Sequence, residues 1–145
     1  MSKASRDRTT GGAPGNAPGL SLVELLVVVA IAAVLASVAY TSYTAHLVHA
    51  NRGAVQRLML DAAERQERFL LEHRVYTDVL SAGGLDIDLP PEVSSNYRVA
   101  VVVDNGAMPP NYTIVATPLA GSRQVNDGAL TLTSRGAKLP AEKWQ

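Results

Sequence analysis

The residue with the clearest chemical consequence is Glu24, because it is the only ionisable side chain between Leu20 and Tyr40. A lone carboxylate inside a membrane helix costs roughly 2.5–3.5 kcal/mol on insertion scales, so this acid predicts a basic partner from elsewhere. If the chain were cut between Gly19 and Leu20, the new α-amine would lie one helical turn from Glu24, about 6 Å along the axis. The amine and the carboxylate could then neutralise each other.

The element that positions Glu24 is an apolar run of 21 residues, from 20 to 40. At 1.5 Å per residue, a helix of this length crosses a bilayer core of about 30 Å. Residues 1–19 are predicted to be a leader, because a Gly- and Pro-rich stretch follows three cations, Lys3, Arg6 and Arg8. Under the positive-inside rule, these cations keep the N-terminus in the cytoplasm, so everything after Tyr40 is expected on the far side of the membrane, in a periplasm-like space.

Two other interpretations of this segment stay open on charge and hydropathy alone. One is an ordinary signal anchor, in which Glu24 lies by chance near the lipid boundary. The other is a signal peptide removed after the apolar run, for which Ala36-Ser37-Val38-Ala39 is the nearest match to a cleavage site. Neither interpretation gives Glu24 a specific role.

The residues around Gly19 resemble a known signal. Gly19 followed by Leu20-Ser21-Leu22-Val23-Glu24 and an apolar run is similar to the class III signal of type IV pilins and pseudopilins. The resemblance implies that a prepilin peptidase cleaves after Gly19 and that Leu20 is then N-methylated. It also implies that Leu20 and Glu24 dock the subunit into a filament. Leu20 departs from the family pattern, in which Phe is usual.

The helical pattern continues beyond the apolar run. Apolar residues recur at helical spacing from Leu47 to Phe69, which predicts an amphipathic half of the helix over residues 41–74. Turn residues then predict a loop over residues 75–96. Residues 97–145 are predicted to form an antiparallel sheet and a C-terminal loop, because three β-branched runs alternate with turn residues. These runs are Tyr97–Val103, Tyr112–Thr117 and Ala129–Thr133.

Together these elements predict an α+β fold, in which one long N-terminal helix packs on a small antiparallel sheet of three or four strands. A sheet of that size needs a second apolar face to be stable in water. The amphipathic half of the helix supplies that face. The resemblance to type IV pilins implies the same arrangement, which is the type IV pilin fold.

The second half of the chain is similar to minor pilins of the PilE type. The similarity rests on a block at the end of the predicted helix, on two strand motifs and on a Trp near the C-terminus. These are Arg65-Gln66-Glu67-Arg68 with Tyr76-Thr77, Tyr112-Thr113 with Ala116-Thr117-Pro118, Gly128-Ala129-Leu130-Thr131-Leu132, and Trp144.

Relatives of this type usually close their C-terminal loop with a disulfide, but this chain has no cysteine. Asp127 and Lys143 stand where the resemblance places the two cysteines. We therefore expect an ion pair between Asp127 and Lys143 in place of the disulfide, and two unrelated surface residues are the alternative. An exposed pair contributes about 0–1 kcal/mol, against about 2–4 kcal/mol for a disulfide, so this loop is expected to be looser than in relatives.

Composition argues against several other classes of function. With 13 basic and 13 acidic side chains, the overall charge gives no general case for nucleic-acid binding. The chain has no Cys nucleophile, and its three His residues lie on the predicted helix with no Ser and Asp spaced to form a triad. We therefore predict that the protein is not an enzyme, with no catalytic residue, no cofactor and no metal site.

The sequence thus predicts a structural protein. We expect a minor pilin with a periplasmic C-terminal domain, held in the inner membrane by one helix and then assembled into an extracellular type IV pilus for twitching motility or adhesion. Its expected partners are prepilin peptidase, other pilin subunits, the inner membrane and the pilus assembly machinery.

Two alternatives to this function remain. Within the structural class, the alternative is a pseudopilin of a type II secretion system. From another class, the alternative is a tip pilin that binds DNA or a surface, because five cations could gather on one side of the sheet. Scattered cations are normally solvated, so DNA is not expected to be a main partner. The five are Arg98, Arg123, Arg135, Lys138 and Lys143.

Overall fold

The computed structural model describes residues 21–144. The predicted leader over residues 1–19, the cleavage site at Gly19 and the methylation site at Leu20 lie outside the described residues. The chain divides into two compact units, Met1–Ala39 and Tyr40–Gln145. Helix α1 (Leu22–His73) contributes to both units.

The described part of the first unit is the beginning of α1. Every residue from 21 to 39 is exposed, although all but a few are apolar. The most apolar window of α1 has a mean hydropathy of 2.8, and the helix is long and apolar enough to cross a membrane. A helix that is apolar all round needs lipid or other apolar surfaces around it.

In the second unit, α1 has one buried face. Its central residues recur with the period of a helix, so they form a single stripe. The opposite face is solvated, and two exposed ion pairs at i,i+4 spacing lie on it, Asp61 with Arg65 and Glu64 with Arg68, each 3.2 Å from N to O. The buried residues of the stripe are Val55, Leu58, Met59 and Ala62.

Helix α1 ends at His73, where the next residue, Arg74, has a left-handed φ of 64°. The backbone N of Arg74 donates to the carbonyl O of Leu70 at 2.8 Å. A left-handed residue directly after a helix satisfies one of the carbonyls that the last turn leaves free. The chain therefore leaves the helix here and enters a loop.

Two polar residues of α1 hold this loop, one at its start and one near its middle. Gln66 is fully buried, and its side-chain amide donates to Thr77 O and accepts from Thr77 N at 3.1 Å. Arg65 Nη1 donates to the carbonyl oxygens of Leu85 at 3.0 Å and Asp86 at 2.6 Å. Because these bonds satisfy backbone groups that no helix or strand pairs, they fix the loop against α1.

The rest of the loop packs through apolar side chains. Leu85 and Ile87 are buried, and Leu80 and Leu89 pack against the core. A short helix, α2 (Pro91–Ser94), follows and buries Val93 completely. The helix has only four residues, too few to show a helical period, so the sequence did not predict it within the loop over 75–96.

The sheet contains four antiparallel strands in the order β1-β2-β3-β4. Tyr97 pairs with Pro118 at one end of β1 and Asp104 with Asn111 at the other. The architecture confirms the predicted α+β fold with a long N-terminal helix and a small antiparallel sheet. The strands are β1 (Tyr97–Asp104), β2 (Asn111–Pro118), β3 (Leu130–Thr133) and β4 (Lys138–Leu139).

One face of the sheet and the buried stripe of α1 form a single core. Burial alternates along β1, β2 and β3, as expected for strands with one face against a core. The inward residues of these strands are Tyr97, Val99, Val101, Tyr112, Ile114, Ala116, Leu130 and Leu132.

The stability of this core depends on pH through Tyr112. Its ring meets that of Tyr76 edge-to-face, with centroids 4.7 Å apart, and its hydroxyl donates weakly to Ala63 O at 3.5 Å. Burial raises the pKa of Tyr112 to about 12, and the nearby carboxylate of Glu67 adds to this shift. Burial also raises the pKa of Tyr76.

We expect Tyr112→Phe to make the protein more resistant to alkali. The pKa of Tyr112 is higher in the folded chain than its ordinary value of 10.0. Between pH 10 and 12 the unfolded chain therefore loses a proton that the folded chain keeps. The contribution of the protonated Tyr112 hydroxyl to the free energy of unfolding is complete below pH 10. It falls by roughly 2 kcal/mol as the pH rises to 12.

The measurement is the midpoint of alkaline unfolding, followed by circular dichroism on the full chain in mild detergent. Tyr112→Phe should unfold at a higher pH than the wild type. The matched control is Tyr43→Phe, because the Tyr43 side chain is 61% exposed. Equal midpoints for the wild type and Tyr112→Phe would contradict this account.

Candidate functional site

Glu24 lies in the first turn of α1, three residues after Ser21, whose carbonyl accepts from Leu25 N at 3.1 Å. Ser and Glu at this spacing match a capping box, and the helix dipole also favours an acid in the first turn. The dipole contributes about 0.3–1 kcal/mol, whereas a carboxylate in lipid costs roughly 2.5–3.5 kcal/mol. A role at the helix start therefore does not offset the cost of placing Glu24 in lipid.

The surface around Glu24 is a continuous apolar one. Between Leu22 and Val38, the large apolar side chains are 49–79% exposed, so none of them belongs to the core. Apolar exposure on this scale marks a membrane or protein contact. The side chains are Leu22, Val23, Leu25, Leu26, Val27, Val28, Val29, Ile31, Val34, Leu35 and Val38.

In the second unit, Asp127 is the centre of a polar cluster. Its carboxylate accepts two hydrogen bonds from Arg52, one of them from Nε at 2.8 Å, and Lys143 Nζ lies 3.9 Å from its Oδ1. The Tyr97 hydroxyl donates to Asp127 Oδ2 at 3.4 Å. The hydrogen bonds that Arg52 donates to Asp127 raise the pKa of Arg52, although burial opposes this shift.

The structure therefore brings Asp127 and Lys143 together, but Arg52 is the closer partner of the acid. The side chain of Asp127 is only 5% exposed, so the pair is less exposed than the sequence suggested. Arg52 was missed because it lies far from Asp127 in sequence. That the cluster replaces a disulfide stays a prediction.

Two buried glutamines extend this cluster. Gln56 Nε2 donates to the carbonyl O of Lys143 at 2.6 Å and so fastens the C-terminal segment to α1. Gln124 Nε2 donates to Val48 O at 3.1 Å and to the Tyr97 hydroxyl at 2.7 Å. A sequence signal for part of this was present, since Arg52 and Gln56 fall on the same helical face as Met59, which is buried.

The five predicted cations do not form one patch. Arg98 is the second residue of β1 and Arg123 lies in the loop between β2 and β3, so both belong to one end of the sheet. Arg135 lies in the turn between β3 and β4, at the opposite end. Lys138 Nζ lies 5.5 Å from the centre of the Trp144 ring, and Lys143 is engaged with Asp127.

The described residues offer little for metal chemistry. Within residues 21–144, no group of three or more His, Cys, Asp or Glu side chains is placed to hold a metal ion. Two of the three His residues, His46 and His49, stand three residues apart on α1, and both are exposed. Hydrogen bonds and ion pairs satisfy the Asp127 carboxylate, as expected for a structural cluster, whereas Gln124 Oε1 is buried and has no hydrogen-bond partner among the described residues.

Comparisons with known proteins give two family matches. The family described as "Type IV minor pilin ComP, DNA uptake sequence receptor" matches residues 41–133. The family described as "Prokaryotic N-terminal methylation motif" matches residues 16–40, which include Gly19, Leu20 and Glu24. No curated protein matches the chain.

The chain is also similar to a solved structure described as a high-resolution structure of a type IV pilin from Shewanella oneidensis. It is 18% identical to this chain, with a TM-score of 0.48. The match covers 65% of this chain and 92% of that chain.

We expect Asp127→Asn to destabilise the protein by about 2–3 kcal/mol, because it leaves the partly buried Arg52 without a charged partner. Lys143→Met should cost only about 0–1 kcal/mol, since Lys143 is the more distant partner of the acid. Chemical unfolding of the full chain in mild detergent measures both. Equal losses for the two variants would show that Arg52 is not the main partner of Asp127.

Proposed function

Since this chain belongs to the family of type IV minor pilins described as ComP, the DNA uptake sequence receptor, we propose that it enters the pilus from the inner membrane after processing at Gly19. In this proposal prepilin peptidase removes residues 1–19 as the leader, and Leu20 becomes the N-methylated first residue. Residues 20–40 then serve first as the membrane segment and later as the assembly half of the helix.

The observation that supports this route best is the exposed apolar surface of α1 up to Val38. This surface is stable in lipid before assembly and among the helices of other pilin subunits afterwards. The driving force for transfer is packing together with charge neutralisation, since lipid tails are as apolar as the side chains. The assembly machinery is proposed to supply the work of extraction.

Glu24 is proposed to make the transfer of α1 from lipid into the pilus specific for processed pilin subunits. The α-amine of a processed Leu20 can neutralise Glu24 of the same subunit or of a neighbour, where low dielectric strengthens the attraction. A buried carboxylate without such a partner would be costly. The remainder of the chain, with the amphipathic half over 41–74, the loop over 75–96 and the sheet and C-terminal loop over 97–145, is proposed to be the periplasmic domain.

We expect Glu24→Gln to be processed like the wild type but to be incorporated poorly into pili. The variant should enter the membrane at least as well as the wild type, because it removes the carboxylate that lipid disfavours. Mass spectrometry of both membrane-extracted proteins should find a methylated N-terminus at Leu20. The amount of the variant in sheared pili should fall by about tenfold or more, because one buried charge pair is lost.

The matched control is Glu64→Gln, which makes the same change on an exposed, paired acid of the same helix. It should reach the pili at the wild-type level. Two results would contradict the proposal: a native protein that retains residues 1–19, or normal incorporation of Glu24→Gln into pili.

The family description favours a second function, DNA binding, alongside the structural one. Arg135 and Lys138 are exposed. Arg135 lies in the tight turn between β3 and β4, in which Gly136 has a φ of 78°, and Lys138 begins β4 after it. Within residues 21–144, no acidic side chain forms an ion pair with either of them. The Trp144 ring lies beside Lys138, so a nucleic acid that contacts Lys138 also finds an aromatic ring there. We propose this turn as the contact with DNA phosphates.

We expect the double variant Arg135→Gln, Lys138→Gln to bind duplex DNA more weakly and with less salt dependence. Each lost phosphate contact lowers the slope of log affinity against log salt by about 0.9, so the slope should fall by about 2. Gel-shift titrations of the full chain in neutral detergent at several salt concentrations measure it. Arg57→Gln, Arg68→Gln is the control with equal charge loss, and an equal effect in both doubles would exclude a specific site at this turn.

A further inference from the structure

An open cavity of about 510 Å³ lies between α1 and the loop that joins β2 to β3. One wall consists of side chains that share a face of α1, and the other wall consists of three polar side chains of the loop. All of them belong to the second unit. The lining residues are Tyr40, Thr44, Ala45, Val48, Arg123, Asn126 and Asp127.

The charge around this cavity is positive. Arg123 is exposed, and among the described residues no acidic side chain forms an ion pair with it. The one acid in the lining, Asp127, already binds Arg52 and has Lys143 close by. Arg52 and Lys143 do not line the cavity, but they offset the charge of the Asp127 carboxylate. Arg123 is therefore the uncompensated charge of the lining, which favours an anionic ligand.

The place of Tyr40 in the sequence indicates where that ligand comes from. Tyr40 directly follows the apolar segment 22–39, so in the membrane-held pilin it marks the end of the span. Tyr is enriched at this level of membranes, where its ring lies among lipid headgroups. Headgroups are thus the anions at highest concentration beside this cavity.

We propose that this cavity binds the headgroup of an anionic phospholipid while the pilin is held in the membrane. The Arg123 guanidinium contacts the phosphate, the geometry for which arginine is best suited, and the Asn126 amide adds a donor. The apolar wall, with Tyr40, Ala45 and Val48, accommodates the glycerol and the upper part of the acyl chains. The inference rests on the proposed membrane-held state.

The test uses full-length protein in nanodiscs of phosphatidylethanolamine with a minor share of phosphatidylglycerol. After transfer to mild detergent, native mass spectrometry measures which lipid stays bound. The wild type should retain phosphatidylglycerol in preference to phosphatidylethanolamine. Arg123→Gln should lower the retained phosphatidylglycerol by about tenfold, as expected for the loss of one charge-assisted phosphate contact.

The matched control is Arg135→Gln, which removes an exposed arginine at the other end of the sheet and should retain the lipid as the wild type does. Several results would overturn the inference: unchanged retention by Arg123→Gln, an equal loss in Arg135→Gln, or equal retention of both lipids by the wild type. Displacement of the lipid by duplex DNA in the wild type but not in Arg123→Gln would assign the cavity to nucleic acid instead.

Flotation of the same proteins with vesicles separates this inference from the proposed function. A chain that floats with vesicles but retains no phosphatidylglycerol leaves the membrane-held state intact and excludes the headgroup site. A chain that does not float excludes both. Arg123 is exposed, so Arg123→Gln is expected to fold, and circular dichroism checks this directly.

Discussion

Apolar surface that the chain does not cover by itself is the constraint on which the rest of the structure depends. Up to Val38, α1 presents large apolar side chains in every direction, whereas beyond Asn51 it buries a single stripe against a sheet. One helix therefore has two kinds of surface, an apolar surface that the described chain does not cover and an apolar stripe that the sheet covers. Because apolar burial is the main driving force for folding and association, the first part gains stability only from lipid or other helices. The second unit completes its own core.

Polar side chains on the inner face of α1 then place the segments that have no regular structure. Arg52, Gln56 and Gln66 each bind a distant part of the chain, namely the loop after β2, the C-terminal segment and the start of the loop after α1. A buried polar group is costly unless it is paired, so each of these contacts is effectively obligatory. The helix thus fixes the positions of three segments whose own sequences do not dictate them.

The sequence predicted the elements that depend on periodicity. The apolar run of α1, its amphipathic continuation and the β-branched strands all follow from spacing, and Val55, Leu58 and Ile114 are buried as a helix stripe and an alternating strand require. Strand β4 has only two residues, and α2 has four, so neither is long enough to show a period. They form because neighbouring elements supply their partners.

The candidate site was predicted less completely, for a related reason. Asp127 and Lys143 were found because resemblance drew attention to both positions. Arg52 could not be found from spacing, since 75 residues separate it from Asp127. What the sequence does show is that an arginine and a glutamine occupy the inner face of a helix. Such residues indicate a buried polar contact, but the partner emerges only from the fold.

The cluster of Arg52, Asp127 and Lys143 also bears on how the chain matures. Its C-terminal segment is fastened to α1 by ionic contacts and by the Gln56 amide, and the chain has no thiol to oxidise. Closure of this segment therefore requires no electron acceptor and no disulfide isomerase. The second unit can therefore reach its final form without an oxidising environment, and a reducing environment leaves it closed.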